Sequence, residues 1–389
     1  MSRAHRSMRL PRQPGEVIDR SAPLPFRWNG KPDIGYAGRT ILSALAAGGE
    51  RVFSRSFKYH RPRGTLTAAF HDPGCTVQVG DEPNVRASHR RLAAGMDVRA
   101  ENAWPSLKYD VKAANQLVGR FLGPGFYYKT FISPQKLWPA YEAVLRRFSS
   151  GGTMSADSPH GDYDKRYVHV DVLVAGGGPA GMAAALGAAE AGASVLLVEE
   201  EYDLGGHLRY GSESDRAALG DLRGRVAGTD AIEALTDSVA IGRYDDNWVA
   251  VMQRSAPGVA ERLVKARVRA LVTAPGLIER PYVFSGNDLP GVMLSSAVRR
   301  LINLYAVKPG QRAAVLTANA DGDAAVQDLR RAGIEVVHVA DARRGGDIVR
   351  ATARGHNIVR ATGRGGVSSV QFTDRTVGVD LLVTATGWT

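Results

Sequence analysis

The hydrophobic positions along this chain follow one pattern in the first 165 residues and another pattern afterwards. In the first part the apolar runs are short, and 26–28 leads into Asn29-Gly30, a strong signal for a hairpin turn. An alanine-rich helix is predicted over 40–47, where Gly48 follows it. Further short strands are predicted at 51–55 and 75–79. Strand, hairpin, helix and more strands are typical of a small α+β domain.

The later pattern is that of an α/β fold with a parallel sheet. The run 169–175 is mostly apolar and leads into glycines, which is typical of a buried parallel strand. A helix of small residues is predicted over 180–191, and a second buried strand at 194–198. A strand-rich stretch follows at 236–276, and the order of strand, helix and strand recurs at 312–316, 324–331 and 334–339.

These changes of pattern divide the chain into four segments. We predict an N-terminal arm over 1–24, a small α+β domain over 25–100, a linker with short helices over 101–165, and a Rossmann-like domain over 166–389. The linker contains an aromatic run, Phe126–Phe131, which we expect to pack against another surface.

Composition excludes several classes of protein. Apolar residues make up 44% of the chain and charged residues 23%, which is ordinary for a globular protein. Cys75 is the one cysteine, and a single thiol cannot supply a disulfide framework, a four-cysteine zinc site or an iron–sulfur cluster. No apolar run approaches about 18 residues, so no membrane span is expected. The N-terminus lacks the apolar core of a secretory signal, and we expect a cytoplasmic location.

The distribution of charge and the spacing of the histidines argue against nucleic-acid binding and against a metal site. The chain has 50 basic and 39 acidic residues, but the excess is spread along the sequence, so we expect no nucleic-acid partner. The basic and aromatic stretch Arg55–Gly64 could bind RNA or dock another domain, and docking is favoured because no repeated aromatic platform accompanies it. The histidines lack metal-binding spacing and no nucleophile elbow occurs, so we predict no metal site and assign no catalytic residue.

The strongest signal is a G-x-G-x-x-G fingerprint between a predicted strand and a predicted helix. Gly176 permits the tight turn, Gly178 lets a diphosphate approach the backbone, and Gly181 lets the helix pack close to the sheet. The helix N-terminus offers N–H groups and the positive end of a dipole. Glu199, which ends the next predicted strand, can accept both ribose hydroxyls. We therefore predict a site for the ADP half of a dinucleotide.

The residues around the fingerprint limit which dinucleotide fits. Three consecutive acids at 199–201 disfavour the 2′-phosphate of NADP, and Gly205-Gly206 make a close turn that could face the phosphates. The fingerprint alone leaves FAD and NAD open. A second candidate turn at 316–322 lacks paired glycines and is predicted to be structural.

Several longer strings resemble one family, the alpha subunits of heterotetrameric sarcosine oxidase. They are Arg55–Gly64, 104–107, 125–131, 163–169, 279–281 and 286–293. The likeness covers roughly residues 25–389, although Ala274-Pro275-Gly276 stands where the family usually has Ala-Thr-Gly.

The resemblance implies a fold and a cofactor. The first domain should be a β-grasp domain, like a [2Fe–2S] ferredoxin but without the cluster, and a Rossmann-like FAD/NAD(P)-binding domain should follow and hold NAD. The residues that carry the nucleotide site, from the fingerprint or from the family's contacts, are Gly176, Gly178, Ala180, Gly181, Glu199, Glu200, Glu201, Gly206, His207 and Ala240.

The resemblance also implies a function, that of an alpha-type subunit in an amine oxidoreductase acting on sarcosine or a related secondary amine by oxidative demethylation. FAD on a beta-type partner subunit would oxidise the amine, FMN would lie near the contact between the two subunits, and smaller subunits would complete the hetero-oligomer. Family alpha subunits are longer, so we expect 166–389 to be incomplete and the chain to be inactive alone. Two alternatives stay open: a self-contained FAD- or NAD-dependent reductase, and a non-catalytic scaffold fragment.

Overall fold

The computed structural model describes residues 8–117, 125, 133–149, 152–155, 161–343 and 357–389. The chain divides into two compact units. The first consists of Met1–Ala156 with Glu279–Trp388, and the second of Asp157–Ile278 with Thr389. The predicted aromatic run Phe126–Phe131 lies outside the described residues.

The first unit begins with a five-stranded mixed sheet. Its elements, with a separate two-stranded pair, are β1 (Asp19–Trp28), β2 (Lys31–Ala37), α1 (Ile41–Ala47), β3 (Ser54–Arg55), β4 (Pro62–Arg63), β5 (Thr76–Val79), β6 (Glu82–Arg86) and β7 (Asp97–Ala100). The strand order is β2-β1-β7-β5-β6, and β1 pairs with β7 in parallel while the other neighbours are antiparallel. A parallel pair of the first and last strands at the centre of such a sheet is typical of the predicted β-grasp fold.

Local sequence signals explain the first elements. Asn29 and Gly30 form the predicted two-residue turn, with φ of 49° and 77°, the left-handed conformation that such hairpins need. Thr40 caps α1, because its side chain accepts a hydrogen bond from the backbone N–H of Ser43 at 3.2 Å. β1 begins at Asp19, inside the segment predicted as an arm.

A helix, α2 (Trp138–Ser149), precedes the second unit, whose core is a six-stranded sheet. The elements of this unit are β8 (Tyr163–Ala175), α3 (Pro179–Glu190), β9 (Val195–Val198), α4 (Glu213–Ala227), β10 (Ile232–Leu235), β11 (Ser238–Tyr244), β12 (Trp248–Gln253) and β13 (Glu261–Thr273). The order is β10-β9-β8-β13-β12-β11, and the first four strands are parallel. All four residues of β9 are buried, as the apolar run predicted. This is the predicted Rossmann-like sheet.

The chain then returns to the first unit and builds a second parallel sheet. Its elements are β14 (Val292–Leu294), α5 (Ser295–Asn303), β15 (Arg312–Thr317), α6 (Ala320–Arg331), β16 (Glu335–Asp341) and β20 (Leu381–Ala385), with a three-stranded antiparallel sheet of β17 (Ile358–Thr362), β18 (Ser369–Phe372) and β19 (Thr376–Gly378). The order is β14-β20-β15-β16. The segment 166–389 thus contains two parallel sheets in different compact units, and the four-segment division of the chain stays a proposal.

The basic stretch Arg55–Gly64 contacts the loop before β14 within the first unit. Arg61 lies 3.2 Å from the carboxylate of Asp288, and a Cβ added to Gly64 would lie 2.8 Å from the Cβ of Pro290. Both contacts lie inside one compact unit, so docking of this stretch to another domain or subunit stays a prediction.

Asp72 organises the loop that precedes β5. The residue is 4% exposed, and its carboxylate accepts hydrogen bonds from the backbone N–H groups of Leu66, Thr67 and Ala68 at 2.7–3.0 Å and of Gly74 at 2.9 Å. One buried carboxylate therefore satisfies four backbone donors, which would otherwise be buried without partners.

Replacing Asp72→Ala should lower the free energy of unfolding by roughly 3 kcal/mol, because it leaves buried N–H donors without an acceptor. Asp72→Asn keeps one side-chain oxygen and should lose less. Chemical denaturation of both variants measures the difference, and an Asp72→Ala protein as stable as the wild type would contradict this role.

Candidate nucleotide-binding site

The fingerprint glycines lie at the carboxyl end of β8, where the chain turns into α3. Gly176 has a φ of 115°, and a Cβ there would lie 2.0 Å from the carbonyl oxygen of Ala274. A Cβ on Gly181 would lie 1.7 Å from the carbonyl oxygen of Gly176. The tight turn and the close helix packing both require glycine at these positions, which fits the roles predicted from the sequence.

Gly178 faces open space. It is the N-cap residue of α3 and, being glycine, has no side chain that could cap the helix. A Cβ added to it would lie more than 4 Å from the surrounding atoms. The predicted glycine turn lies beside it, since a Cβ on Gly206 would lie 3.3 Å from the Cα of Gly178. A helix N-terminus without a side-chain cap, next to open space, is suited to an anion such as a diphosphate.

Glu199 follows β9 and directs its carboxylate into the fingerprint loop. One carboxylate oxygen accepts a hydrogen bond from the backbone N–H of Gly177 at 2.6 Å, and the other accepts one from the N–H of Glu201 at 2.8 Å. Burial raises the pKa of the Glu199 carboxyl above its ordinary value, and these two N–H donors oppose that shift. A carboxylate can accept about four hydrogen bonds, so capacity remains for ribose hydroxyls.

The other two acids of the run lie in ion pairs. Glu200 lies 3.0 Å from the guanidinium of Arg254, and Glu201 lies 3.5 Å from that of Arg209, which also binds Asp203 at 2.8 Å. The acids at 200 and 201 are therefore partly neutralised by partners from the same chain.

The remaining predicted contacts surround the turn at different depths. Ala180 is exposed in the first turn of α3, and His207 is exposed in the short 3-10 helix Gly206–Tyr210. Ala240 is partly buried on β11 and packs against the hydrophobic core of the sheet. The structure brings the fingerprint, Glu199 and Gly206 together, whereas the Ala240 side chain belongs to the core packing.

Sequence reasoning missed three residues of this region. Gly177 gives its N–H to Glu199, and a Cβ there would lie 2.8 Å from the Cβ of that glutamate. The run of three consecutive glycines was a signal for this role. Arg209 and Arg254 were missed because no local pattern links them to the acids with which they pair.

The turn between β15 and α6 differs from the turn at Gly178, because the helix N-terminus here is capped and acidic. Asn319 caps α6 by accepting hydrogen bonds from the N–H groups of Asp321 and Gly322 at 3.1 and 3.3 Å, and Asp321 and Asp323 lie in the first helical turn. A Cβ on Gly322 would lie 2.0 Å from Oγ1 of Thr317. A capped N-terminus with two carboxylates disfavours a phosphate, which supports the prediction that this turn is structural.

The residues that the structure describes offer no ligand set for a metal centre, and the cysteine content of the chain does not fit a [2Fe–2S] cluster. Within the described ranges no group of three His, Cys, Asp or Glu side chains is placed to hold a metal ion. Such a cluster takes four protein ligands, whereas Cys75 is the one cysteine of the chain and is fully buried. Burial raises the pKa of its thiol. Among the same residues, no helix has the length and apolar character needed to cross a membrane.

Comparisons with known proteins agree with this architecture. Residues 21–103 match the family of 2Fe-2S iron–sulfur cluster binding domains, and residues 171–270 match that of FAD-dependent oxidoreductases. The crystal structure of L-proline dehydrogenase from P. horikoshii has a similar fold, with a TM-score of 0.66 over 97% of this chain and 63% of that chain, at 21% sequence identity. The chain thus has a ferredoxin-like domain followed by a Rossmann-type domain of the FAD-dependent oxidoreductase class.

The more specific resemblance is to sarcosine oxidase alpha subunits, and it is confirmed. Over 87% of its length the chain is 41% identical to sarcosine oxidase subunit alpha of Rhizobium meliloti (strain 1021), and 33% identical to that of Corynebacterium sp. (strain P-1). The matches cover 36% and 32% of those two proteins, so the chain spans about a third of their length.

The buried carboxyl of Glu199 should make stability depend on pH in a defined direction. Because its pKa is raised in the folded protein, the folded state keeps this proton after the unfolded state has lost it, and the free energy of unfolding falls as the pH rises through that interval. The stability of the wild type relative to Glu199→Gln should therefore be greatest below pH ~4 and decrease toward neutral pH. The free energies of unfolding of both proteins are measured by chemical denaturation across this pH range. A constant difference between the two would contradict the raised pKa of Glu199.

Proposed function

We propose that this chain is an alpha-type subunit of a sarcosine-oxidase-like amine oxidoreductase and that it holds NAD at the turn between β8 and α3. The observation that carries the nucleotide site is the open N-terminus of α3 at Gly178, beside the buried carboxylate of Glu199. The first feature is suited to a diphosphate and the second to a ribose.

Each proposed contact has a physical role. The N–H groups of the first turn of α3, which includes Ala180 and Gly181, would donate to the diphosphate. Because Gly206 has no side chain, the Gly205-Gly206 turn would be able to lie close beside the same diphosphate. Glu199 would accept the hydroxyls of the adenosine ribose. His207 and Ala240 remain proposed contacts on the resemblance alone. A nicotinamide dinucleotide supplies hydride chemistry when bound, but this chain is assigned no catalytic acid or base, so we propose a structural or regulatory role for it here.

The family likeness supports the wider assembly. The similar proteins named above are themselves subunits, and the names of both refer to sarcosine. We propose that a beta-type flavoprotein subunit with FAD oxidises sarcosine or a related secondary amine. FMN would lie near its contact with this chain, smaller subunits would complete the complex, and this chain would be inactive alone. A cytoplasmic location stays part of the proposal.

Gly178→Val should weaken NAD binding at least about tenfold, because the new side chain would fill the space in front of the helix N-terminus. The φ of −70° at Gly178 is open to any residue, so the variant should fold. Isothermal titration calorimetry of NAD into nucleotide-free protein measures the loss.

The matched control for this variant is Gly187→Val, in the interior of the same helix. A Cβ there also meets no atom within 4 Å, so this variant should bind NAD as the wild type does. Unchanged affinity in Gly178→Val, or equal loss in both variants, would contradict the proposed site.

The absorption spectrum of the purified chain separates the proposal from its alternatives. The match of residues 171–270 to FAD-dependent oxidoreductases favours a bound flavin as the second candidate. A flavin spectrum from this chain alone would support a self-contained reductase. A colourless protein that releases NAD on denaturation would support the alpha-type subunit, and a protein that retains and binds neither would indicate a scaffold.

A further inference from the structure

The three consecutive acids that follow β9 have three different partners. Glu199 binds the fingerprint loop through Gly177, whereas Glu200 pairs with Arg254 and Glu201 pairs with Arg209, eight residues further along the chain. The run therefore does not act as a single block of negative charge, and each carboxylate has its own effect on a nucleotide bound at this edge of the sheet.

The arginine beside Glu200 is held by a second carboxylate as well. Arg254 lies 3.0 Å from Glu200 and 3.5 Å from Asp237, and its backbone N–H donates to the carbonyl oxygen of Asp237 at 3.0 Å. Asp237 in turn gives its own N–H to the carbonyl oxygen of Glu201 at 2.9 Å. The guanidinium is thus tied directly to the segment that follows β9, next to the proposed ribose-binding carboxylate.

A guanidinium next to the ribose-binding carboxylate could instead bind the 2′-phosphate of NADP. Arginine binds phosphate through two parallel charge-assisted hydrogen bonds, and dinucleotide sites that accept NADP use an arginine near the end of this strand for the 2′-phosphate. Arg254 retains partial exposure, with 22% of its side chain accessible. In this protein, however, two carboxylates already share its charge.

We propose that Glu200, acting through Arg254, makes this site select NAD over NADP. This inference rests on the dinucleotide site proposed above. Glu200 pairs with the guanidinium and adds a negative charge beside the ribose-binding carboxylate, so a 2′-phosphate meets repulsion and must compete with Glu200 and Asp237 for the charge of Arg254. Without the Glu200 charge, Arg254 keeps its ion pair with Asp237 but loses one anion that competes with a phosphate for its guanidinium.

The neighbouring acids do not fit this role. Glu199 is 9% exposed, and each of its carboxylate oxygens accepts a hydrogen bond from a backbone N–H group, so its loss would affect every dinucleotide. The partner of Glu201 is Arg209, whose side chain is 7% exposed and also bound to Asp203. That guanidinium is buried and has little freedom to turn toward a ligand.

The test is a measurement of the dissociation constants of NAD and NADP by calorimetry. The wild type should bind NAD more tightly than NADP. Glu200→Gln should raise the affinity for NADP relative to that for NAD roughly tenfold to a hundredfold, the range expected for one new charge-assisted interaction. Glu200→Ser removes the same charge with a smaller side chain and should give the same shift, which protects the test against poor folding of one variant. The double variant Glu200→Gln, Arg254→Met should lose the gain.

The matched control is Glu233→Gln on β10, which breaks the ion pair of Glu233 with Arg166 in the same sheet and should leave the ratio at its wild-type value. If the wild type binds NAD but neither Glu200 variant gains NADP affinity, the specificity inference is wrong and the proposed site stands. A gain that survives the loss of Arg254 would overturn the role of that arginine. If the wild type binds neither nucleotide, the proposed function fails and the inference fails with it.

Discussion

A buried hydrogen bond from the N–H of Gly177 to the carboxylate of Glu199 joins the ends of two neighbouring parallel strands. The bond fixes the loop between β8 and α3 against the segment after β9, at the edge where the carboxyl ends of the strands meet. Because the carboxylate is buried, its loss would leave a backbone donor unsatisfied and would loosen the turn that keeps Gly178 open. The proposed nucleotide site depends on this contact.

The two turns between strand and helix in the parallel sheets show that few residues separate a helix N-terminus suited to a phosphate from one that is capped by its own chain. At Gly178 the helix N-terminus has no side-chain cap and no acid in its first turn, whereas Asn319 caps the other helix and two aspartates follow it. The backbone dipole is the same in both helices. The cap and the nearby charges determine which of them is suited to a phosphate.

The parts of the fold that were predictable are those determined by local sequence. The fingerprint glycines, the apolar run of β9 and the Asn29-Gly30 turn identify their own structure, because the backbone conformation and burial they require are local. The first residues of β8 were missed because alternating charged and aromatic positions at 163–168 become a strand by pairing with β13.

Long-range contacts account for the rest of what the sequence did not predict. Arg39 is fully buried and donates to the carbonyl oxygen of Tyr305, 266 residues away, which helps to place the two ends of the chain in one unit. The pairing of Arg254 with Glu200 is likewise invisible in the sequence. The sequence predicts that the acids at 199–201 disfavour NADP, but their separate ion-pair partners are seen only in the structure.

The most direct test of this account is a crystal structure of the protein grown with NAD. We expect the diphosphate to lie over the first turn of α3, in front of Gly178, with the adenosine ribose on the carboxylate of Glu199. A nucleotide bound elsewhere, or an N-terminus of α3 that stays without a ligand at saturating NAD, would contradict it.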